Sequence, residues 1–313
     1  MRLRVDRARV SKGVAVIVNG VSIDDTFAEA FAMRGTRLII TAQTLAWARQ
    51  AAISMTGFAT SVIGCGVEAG IECDLDAAGT PDGRPGVAVL LFATSSSELA
   101  KQLERRVGQC VLTSPTSAVF SGIEAGRPLP LGKTLRYFGD GHQISKVIGG
   151  RRYWRVPVMD GEFIAEDTAA MSDAIGGGNF LILAAGTSQA LAAAEAAIDA
   201  MRSVRGAIMP FPGGVVRSGS KVGSKYKTLI ASTNDAFCPT LRASVASELG
   251  PDIECVYEIV IDGMTEDAVR NSMQAGLRAV CALGAAGGIR RLSAGNYGGK
   301  LGKFHFPLRA LLP

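Results

Sequence analysis

The chain reads as an α+β protein built from two ferredoxin-like lobes, each a split β-α-β unit, related by internal duplication and joined through an inserted hairpin. Three observations predict this. A β-α-β pattern followed by a second β-α-β pattern occurs once in each half of the 313 residues. The strand runs are short, β-branched and often closed by glycine-rich exits. The helical runs are alanine-rich or carry apolar residues along one face.

In the first half, Arg37-Leu38-Ile39-Ile40-Thr41-Ala42 reads as a strand, residues 45–55 as a helix and Ser61-Val62-Ile63 as a second strand. Residues 86–92 form the next strand. Ser95 and Glu98 have the spacing of a capping box, with Leu99, Leu103 and Val107 on one helix face. Gln109-Cys110-Val111-Leu112 closes the unit. In the second half, residues 180–185, a helix over 189–204 and Ala207-Ile208-Met209 repeat the first pattern. Residues 256–261 form a strand. Thr265 caps a helix whose first turn holds Glu266 and Asp267, a placement that suits the helix dipole, and residues 289–292 close the unit. Between the halves, residues 134–138 and 143–148 read as a hairpin turning at Gly139-Asp140-Gly141, and residues 151–159 as a further strand. The division is therefore residues 1–160 and residues 161–313.

Composition narrows the function. Hydrophobic residues are 48% and charged residues 19%, which excludes a disordered chain. No run reaches the roughly 18 apolar residues of a membrane span, and the basic start has no apolar segment of a secretory signal. No membrane partner is expected. Six scattered cysteines without a C-x-x-C pair, with only two histidines, argue against a metal centre and fit buried thiols in a reducing cytoplasm. A net charge of +5 with 6% aromatics suits small anionic partners better than nucleic acid. Near-matches to a phosphate loop misplace the lysine or the second glycine, and no G-x-S-x-G elbow is present.

Three stretches carry chemical interest. Residues 211–227 combine glycines, hydroxyls and cations, among them Arg217, Ser218, Ser220, Lys221 and Lys225. Such a loop can gather amide N–H groups and positive charge around carboxylates or phosphate, or simply be solvated. Residues 293–303, with Asn296, Tyr297 and Lys300, pose the same pair of readings. Glu258 lies in an apolar strand: facing inward, its carboxyl would be neutral near pH 7 and able to donate or shuttle a proton; facing outward with Val256 and Val260, it would be an edge residue. Asp24, Asp25 and Glu29 form an acidic cluster suited to a cation, to acid–base work or, more simply, to the first turn of a helix.

The sequence also resembles formylmethanofuran:tetrahydromethanopterin formyltransferases. The landmarks are Asn19-Gly20, Asp25-Thr26-Phe27-Ala28-Glu29-Ala30-Phe31, Thr56-Gly57-Phe58-Ala59-Thr60-Ser61 and Glu68-Ala69-Gly70-Ile71-Glu72. Further ones are Gly177-Gly178-Asn179-Phe180, the loop over 211–227, Ala231-Ser232-Thr233-Asn234, Phe237-Cys238-Pro239-Thr240, Tyr257-Glu258-Ile259-Val260 and residues 294–303.

That resemblance implies a two-lobed, homo-oligomeric enzyme, dimer or tetramer, that moves a formyl group between N5 of tetrahydromethanopterin and the amine of a methanofuran-type carrier. Both carriers are co-substrates, and no bound cofactor or metal is implied. It assigns the catalytic glutamate to Glu258, by its Tyr-Glu-Ile-Val context. The carriers are polyanionic, so the resemblance gives substrate-binding roles to Arg217, Ser218, Ser220, Lys221, Lys225, Asn296, Tyr297 and Lys300. The basic balance and extended N-terminus resemble the bacterial branch, in which the protein is a subunit of a formyltransferase/hydrolase complex in formaldehyde oxidation. The alternative expectation is a non-catalytic scaffold or pterin-binding subunit of such a complex.

Overall fold

A computed structural model describes residues 16–312. The reading of the first residues as free of a signal, and as an extension, lies outside that range. Two short strands open the described chain, β1 (Val16–Val18) and β2 (Val21–Ile23). The first half then runs β3 (Phe27–Thr41), α1 (Leu45–Thr56), α2 (Val62–Cys65), β4 (Glu68–Leu75), β5 (Gly86–Ala93), α3 (Ser96–Arg106) and β6 (Ala118–Ser121). Its strands lie in the order β4-β5-β3-β6.

Local signals set these elements. Thr44 Oγ1 accepts the Trp47 N–H to start α1, whose Ala48, Ala51, Ala52 and Met55 form a buried stripe at helical spacing. Ser95 Oγ accepts the Glu98 N–H in the same way to start α3, which buries Leu99 and Leu103.

Two expected strands are helical instead. Ser61 is an N-cap whose Oγ accepts the Ile63 N–H, and Gly66, at φ +75°, ends the single turn of α2, so the strand falls on Glu68–Leu75. Residues 109–112 continue α3 as a π-helical turn, Val107–Val111, which keeps both valines in the core. The closing strand is Ala118–Ser121.

The connecting segment holds β7 (Arg127–Pro130), α4 (Gly132–Leu135), β8 (Ile144–Ile148), β9 (Arg151–Val158) and β10 (Gly161–Glu166). A hairpin is inserted, but it is β8–β9, turning at Gly149 and Gly150, whose φ values of +57° and +79° suit a two-residue type I′ turn. The expected first hairpin strand, residues 134–138, is helical. Leu135 packs into the core, and the Arg136 guanidinium stacks on the rings of Tyr137 and Trp154.

The second half repeats the strand order of the first. It comprises β11 (Thr168–Ala184), α5 (Thr187–Met201), β12 (Ala207–Ile208), a two-stranded ribbon β13 (Lys221–Val222) and β14 (Ala231–Ser232), β15 (Cys255–Gly263), α6 (Glu266–Leu283) and β16 (Ile289–Ser293), then β17 (Phe304–Pro307) and α7 (Leu308–Leu311). The main strands lie in the order β12-β15-β11-β16. Thr265 Oγ1 accepts the Ala268 N–H to start α6. Small residues let α5 and α6 approach: a Cβ on Gly276 would strike Met201 and Phe180.

Both long strands begin about ten residues before the apolar runs that predict them. Glycines 35, 176, 177 and 178 break the apolar pattern there. The extra lengths pair with each other, Met171 opposite Thr36 through Gly176 opposite Phe31, and fuse the halves into one mixed sheet. Glu29 therefore lies in a strand, not in a helical first turn. Each half keeps its own core, one under α1 and α3 and one under α5 and α6.

Candidate active site

Alternation along β15 puts Val256, Glu258 and Val260 on one face. Ile259 and Ile261, on the other, are fully buried in the second core. The outward reading of Glu258 is therefore right about direction, but outward here is the floor of a cleft of about 1250 Å³. Within the sheet, Glu258 stands opposite Leu181 and Val260 opposite Asn179 on β11. On the free edge of β15, the Val216 N–H donates to the Glu258 carbonyl at 2.7 Å, and the Glu258 N–H donates to the Val216 carbonyl at 2.9 Å. The glycine-rich loop thus extends the sheet by one rung and forms a wall over the carboxyl group.

The Glu258 side chain is half-buried, and burial alone pushes its carboxyl up to about 7. Across the cleft, burial and then the nearby charges of Glu258 and Glu29 raise the Tyr297 hydroxyl. An acid poised between its two protonation states, facing a phenol, suits proton exchange with a reacting nitrogen or a developing oxyanion.

Glu29 holds the opposite wall. Fully buried on β3, its carboxylate accepts four backbone N–H groups, from Tyr297, Gly299, Leu301 and Gly302, at 2.6–2.9 Å. Burial alone would raise its carboxyl; the four amides outweigh that and hold it below the ordinary value. Asn179 pins the start of the same loop: its Oδ1 accepts the Gly295 N–H at 2.6 Å and its Nδ2 donates to the Gly295 carbonyl at 3.1 Å. The Asn296 Nδ2 donates to Thr26 Oγ1 and to the Phe27 carbonyl, so that amide holds the loop rather than pointing free.

The structure brings most of the expected residues together. Glu258, Ser218, Ser220, Lys221, Asn296 and Tyr297 line the cleft, and Arg217 lines a small adjoining hollow of about 40 Å³ with Glu258. Lys225 and Lys300 are exposed and do not line it. Among the described residues Lys221 is the single cation of the lining, and its Nζ is paired with Asp235 at 2.6 Å. The lining carries three carboxyl groups instead, those of Glu29, Glu68 and Glu258. Sequence reasoning gave no separate role to Asn179, Phe31 or Glu68, and Asp262 went unnoticed. Glu68 and Asn179 fall inside the long matching stretches, which was the available signal.

Two family models match the chain: formylmethanofuran-tetrahydromethanopterin formyltransferase over residues 16–158, and the proximal lobe of that enzyme over residues 161–311. A formylmethanofuran–tetrahydromethanopterin formyltransferase of Methylococcus capsulatus is 68% identical over 297 residues, covering 95% of this chain and 100% of the relative. The corresponding chain of the formyltransferase/hydrolase complex of Methylorubrum extorquens, solved with methylofuran, superposes with a TM-score of 0.93 at 51% identity, covering 96% and 99% of the two chains. The Methanosarcina barkeri formyltransferase superposes with a TM-score of 0.89 at 47% identity, over 95% and 100%.

Proposed function

Because the chain belongs to the formylmethanofuran–tetrahydromethanopterin formyltransferase family, we propose that its cleft brings the two one-carbon carriers together over Glu258 and that this carboxyl manages the protons of the transfer. The enzyme moves a formyl group between N5 of tetrahydromethanopterin and the amine of a methanofuran-type carrier, with both carriers as substrates. The single observation that carries the role of Glu258 is its position on the cleft floor, with a carboxyl raised to about 7 by burial.

In this reading the carrier amine attacks the formyl carbon, the carbonyl oxygen gains negative charge, and the carbon–N5 bond breaks as the tetrahedral adduct collapses. The attacking nitrogen loses a proton and N5 gains one. Protonated Glu258 donates to the oxyanion or to N5 and, once ionised, accepts the proton of the amine. Alignment of the two carriers supplies much of the remaining acceleration. Glu258 and Tyr297, both lining the cleft, suit the neutral reacting ends. The cations Arg217, Lys225 and Lys300, outside the cleft lining, suit the anionic tails.

Each half is read as a split β-α-β unit, the pair arising by duplication; the shared strand order supports this. The net direction is read as from the pterin to the furan carrier, in the cytoplasm, within a formyltransferase/hydrolase assembly; the likeness to the Methylorubrum chain supports the assembly. Exposed Phe58, Phe138 and Met159 support a homo-oligomer or partner contacts. The scaffold alternative is disfavoured by the intact carboxyl. The test is a spectrophotometric transfer assay with both purified carriers: carrier-dependent formyl transfer supports the reading, and binding without transfer contradicts it.

A further inference from the structure

A second pair of carboxyl groups, which the chemistry above does not use, joins the cleft lining to the interior: Glu68 lines the cleft and Asp262 does not. Glu68 opens β4 in the first half, Asp262 lies near the end of β15 in the second, and both are buried. The Glu68 Oε1 accepts the Val62 N–H at 3.0 Å, and the Asp262 Oδ1 accepts the Gly177 N–H at 3.0 Å. Among the described residues the buried Asp262 Oδ2 has no hydrogen-bond partner, and the Glu68 carboxyl lies within hydrogen-bonding reach of the Asp262 side chain. Two carboxylates make no hydrogen bond with each other. The contact is a bond only if a proton lies between them.

The charged groups on the neighbouring strands are matched to each other: Arg37 of β3 pairs with Glu72 of β4, whose Oε1 also accepts the Gly206 N–H. Across the strands stand Phe92 of β5, opposite Glu68, and Ile208 of β12, opposite Asp262. Beside them are Met33 of β3, Gly176 and Gly177 of β11, and the Val62 amide of α2. Among the described residues, the charge acting on Asp262 is that of Glu68. The further titratable group on that face of β15 is Glu258, four residues away. Burial and mutual repulsion both favour the singly protonated pair.

The pair also has a structural reach. The register of β11 against β15 slips between Ile175 and Gly178, and this bulge leaves the Gly177 N–H without a rung. Asp262 supplies the missing acceptor. The Gly177 carbonyl accepts from Asn179, and Asn179 pins Gly295 at the far wall of the cleft. From Asp262 to Gly295 these hydrogen bonds form one continuous chain.

We propose that Glu68 and Asp262 share one proton, and that this acid pair is a proton-dependent clasp between the two halves that positions the cleft floor for transfer. The pair is a positioning element, distinct from Glu258. The proposal rests on the formyl-transfer reading for its kinetic consequence but not for the protonation itself. Glu68→Gln and Asp262→Asn each place an N–H donor where the shared proton sits, so either keeps the bond while removing its titration.

The test uses the full chain and two readouts. Infrared spectra, taken in the Glu258→Gln background to remove that group's band, should show a protonated-carboxyl stretch that disappears on adding either Glu68→Gln or Asp262→Asn. Turnover profiles, taken with Glu258 intact, should show the wild type losing kcat on the alkaline side in two steps, one as Glu258 ionises and one as the pair gives up its proton. Each amide variant should keep neutral-pH turnover within about threefold and retain the Glu258 step alone. Absence of the protonated band, or amide variants that retain both steps, would overturn the proposal. If the amide variants fail to fold, the band is read in the protein carrying both Glu166→Gln and Glu258→Gln, which removes the other two carboxyls raised by burial, and its presence or absence there decides. Because the spectra need no activity, failure of the clasp is distinguishable from failure of the transfer reading.

Discussion

Val216 and Glu258 exchange both of their backbone hydrogen bonds, and this single rung fixes the glycine-rich loop against the strand that carries the carboxyl group. A flexible segment becomes part of the sheet at the one residue where position matters. Its consequences can be tested from both sides.

The loop reaches Val216 through Gly214, whose φ of +87° is a left-handed conformation that favours glycine. A Cβ there would also strike the Ile198 side chain and press on Met209. Gly214→Ala should cost roughly 2 kcal/mol of stability, because strain and overpacking add. Chemical denaturation measures that loss. Turnover should fall with it, since the displaced loop no longer walls Glu258.

Glu258 itself should destabilise the fold at high pH. Its carboxyl is raised from 4.5 to about 7, so the folded protein keeps a proton that the unfolded chain releases. The stability present below pH 4.5 is lost as pH rises towards about 7, and no more is lost above it. With partial solvent screening, the loss should be about 1–2 kcal/mol. Glu258→Gln should therefore match the wild type in acid and exceed it by that amount above neutrality, as read from denaturation midpoints across pH.

Glu29 acts in the opposite sense. Its carboxylate is held down by four amides, so it stabilises the fold above the ordinary carboxylate range and loses that contribution as pH falls through its lowered value. Glu29→Ala leaves those four amides without their acceptor and should cost roughly 3 kcal/mol. Limited proteolysis should show residues 295–302 cleaved far sooner in the variant. Equal cleavage rates would contradict the anchoring role.

Lys221 is paired with Asp235, and the pair closes the ribbon that roofs the cleft. If its main duty is that closure, Lys221→Ala and Asp235→Ala should raise carrier KM by similar factors of about three, and the double variant should be no worse than either. A Lys221 variant much weaker than the Asp235 variant would instead mark direct contact with a carrier anion.

Much of this was legible in the sequence. Caps at Ser95 and Thr265, apolar stripes on α1 and α6, and the apolar runs of β5, β15 and β16 carry their signals locally. What could not be read depends on partners distant in the chain. The first halves of β3 and β11 are glycine-bearing and weakly patterned, and they are strands because each is the other's neighbour. Ser61 caps where Val62 and Ile63 suggest a strand, and the cap wins once Gly66 can close the turn.

The site divides in the same way. Glu258, Ser218 and Tyr297 stand in long distinctive stretches and come together in the cleft. The anion-binding expectation was weaker because composition counts cations without their partners: Lys221 is spent on Asp235, and Lys225 and Lys300 lie outside the lining. Asp262 gave no signal at all, since its significance arises only when β15 meets the bulge of β11 and the start of β4.

The most direct test of the account is the rate of formyl transfer between the two carriers by the wild type and by Glu258→Gln, with the affinity of each carrier measured in parallel. The amide keeps size and polarity but neither gives up nor takes on a proton near neutrality. Turnover should fall by about 10²–10⁴-fold while both affinities stay within a few-fold. Near-normal turnover in the variant would contradict the assignment of proton management to this carboxyl group.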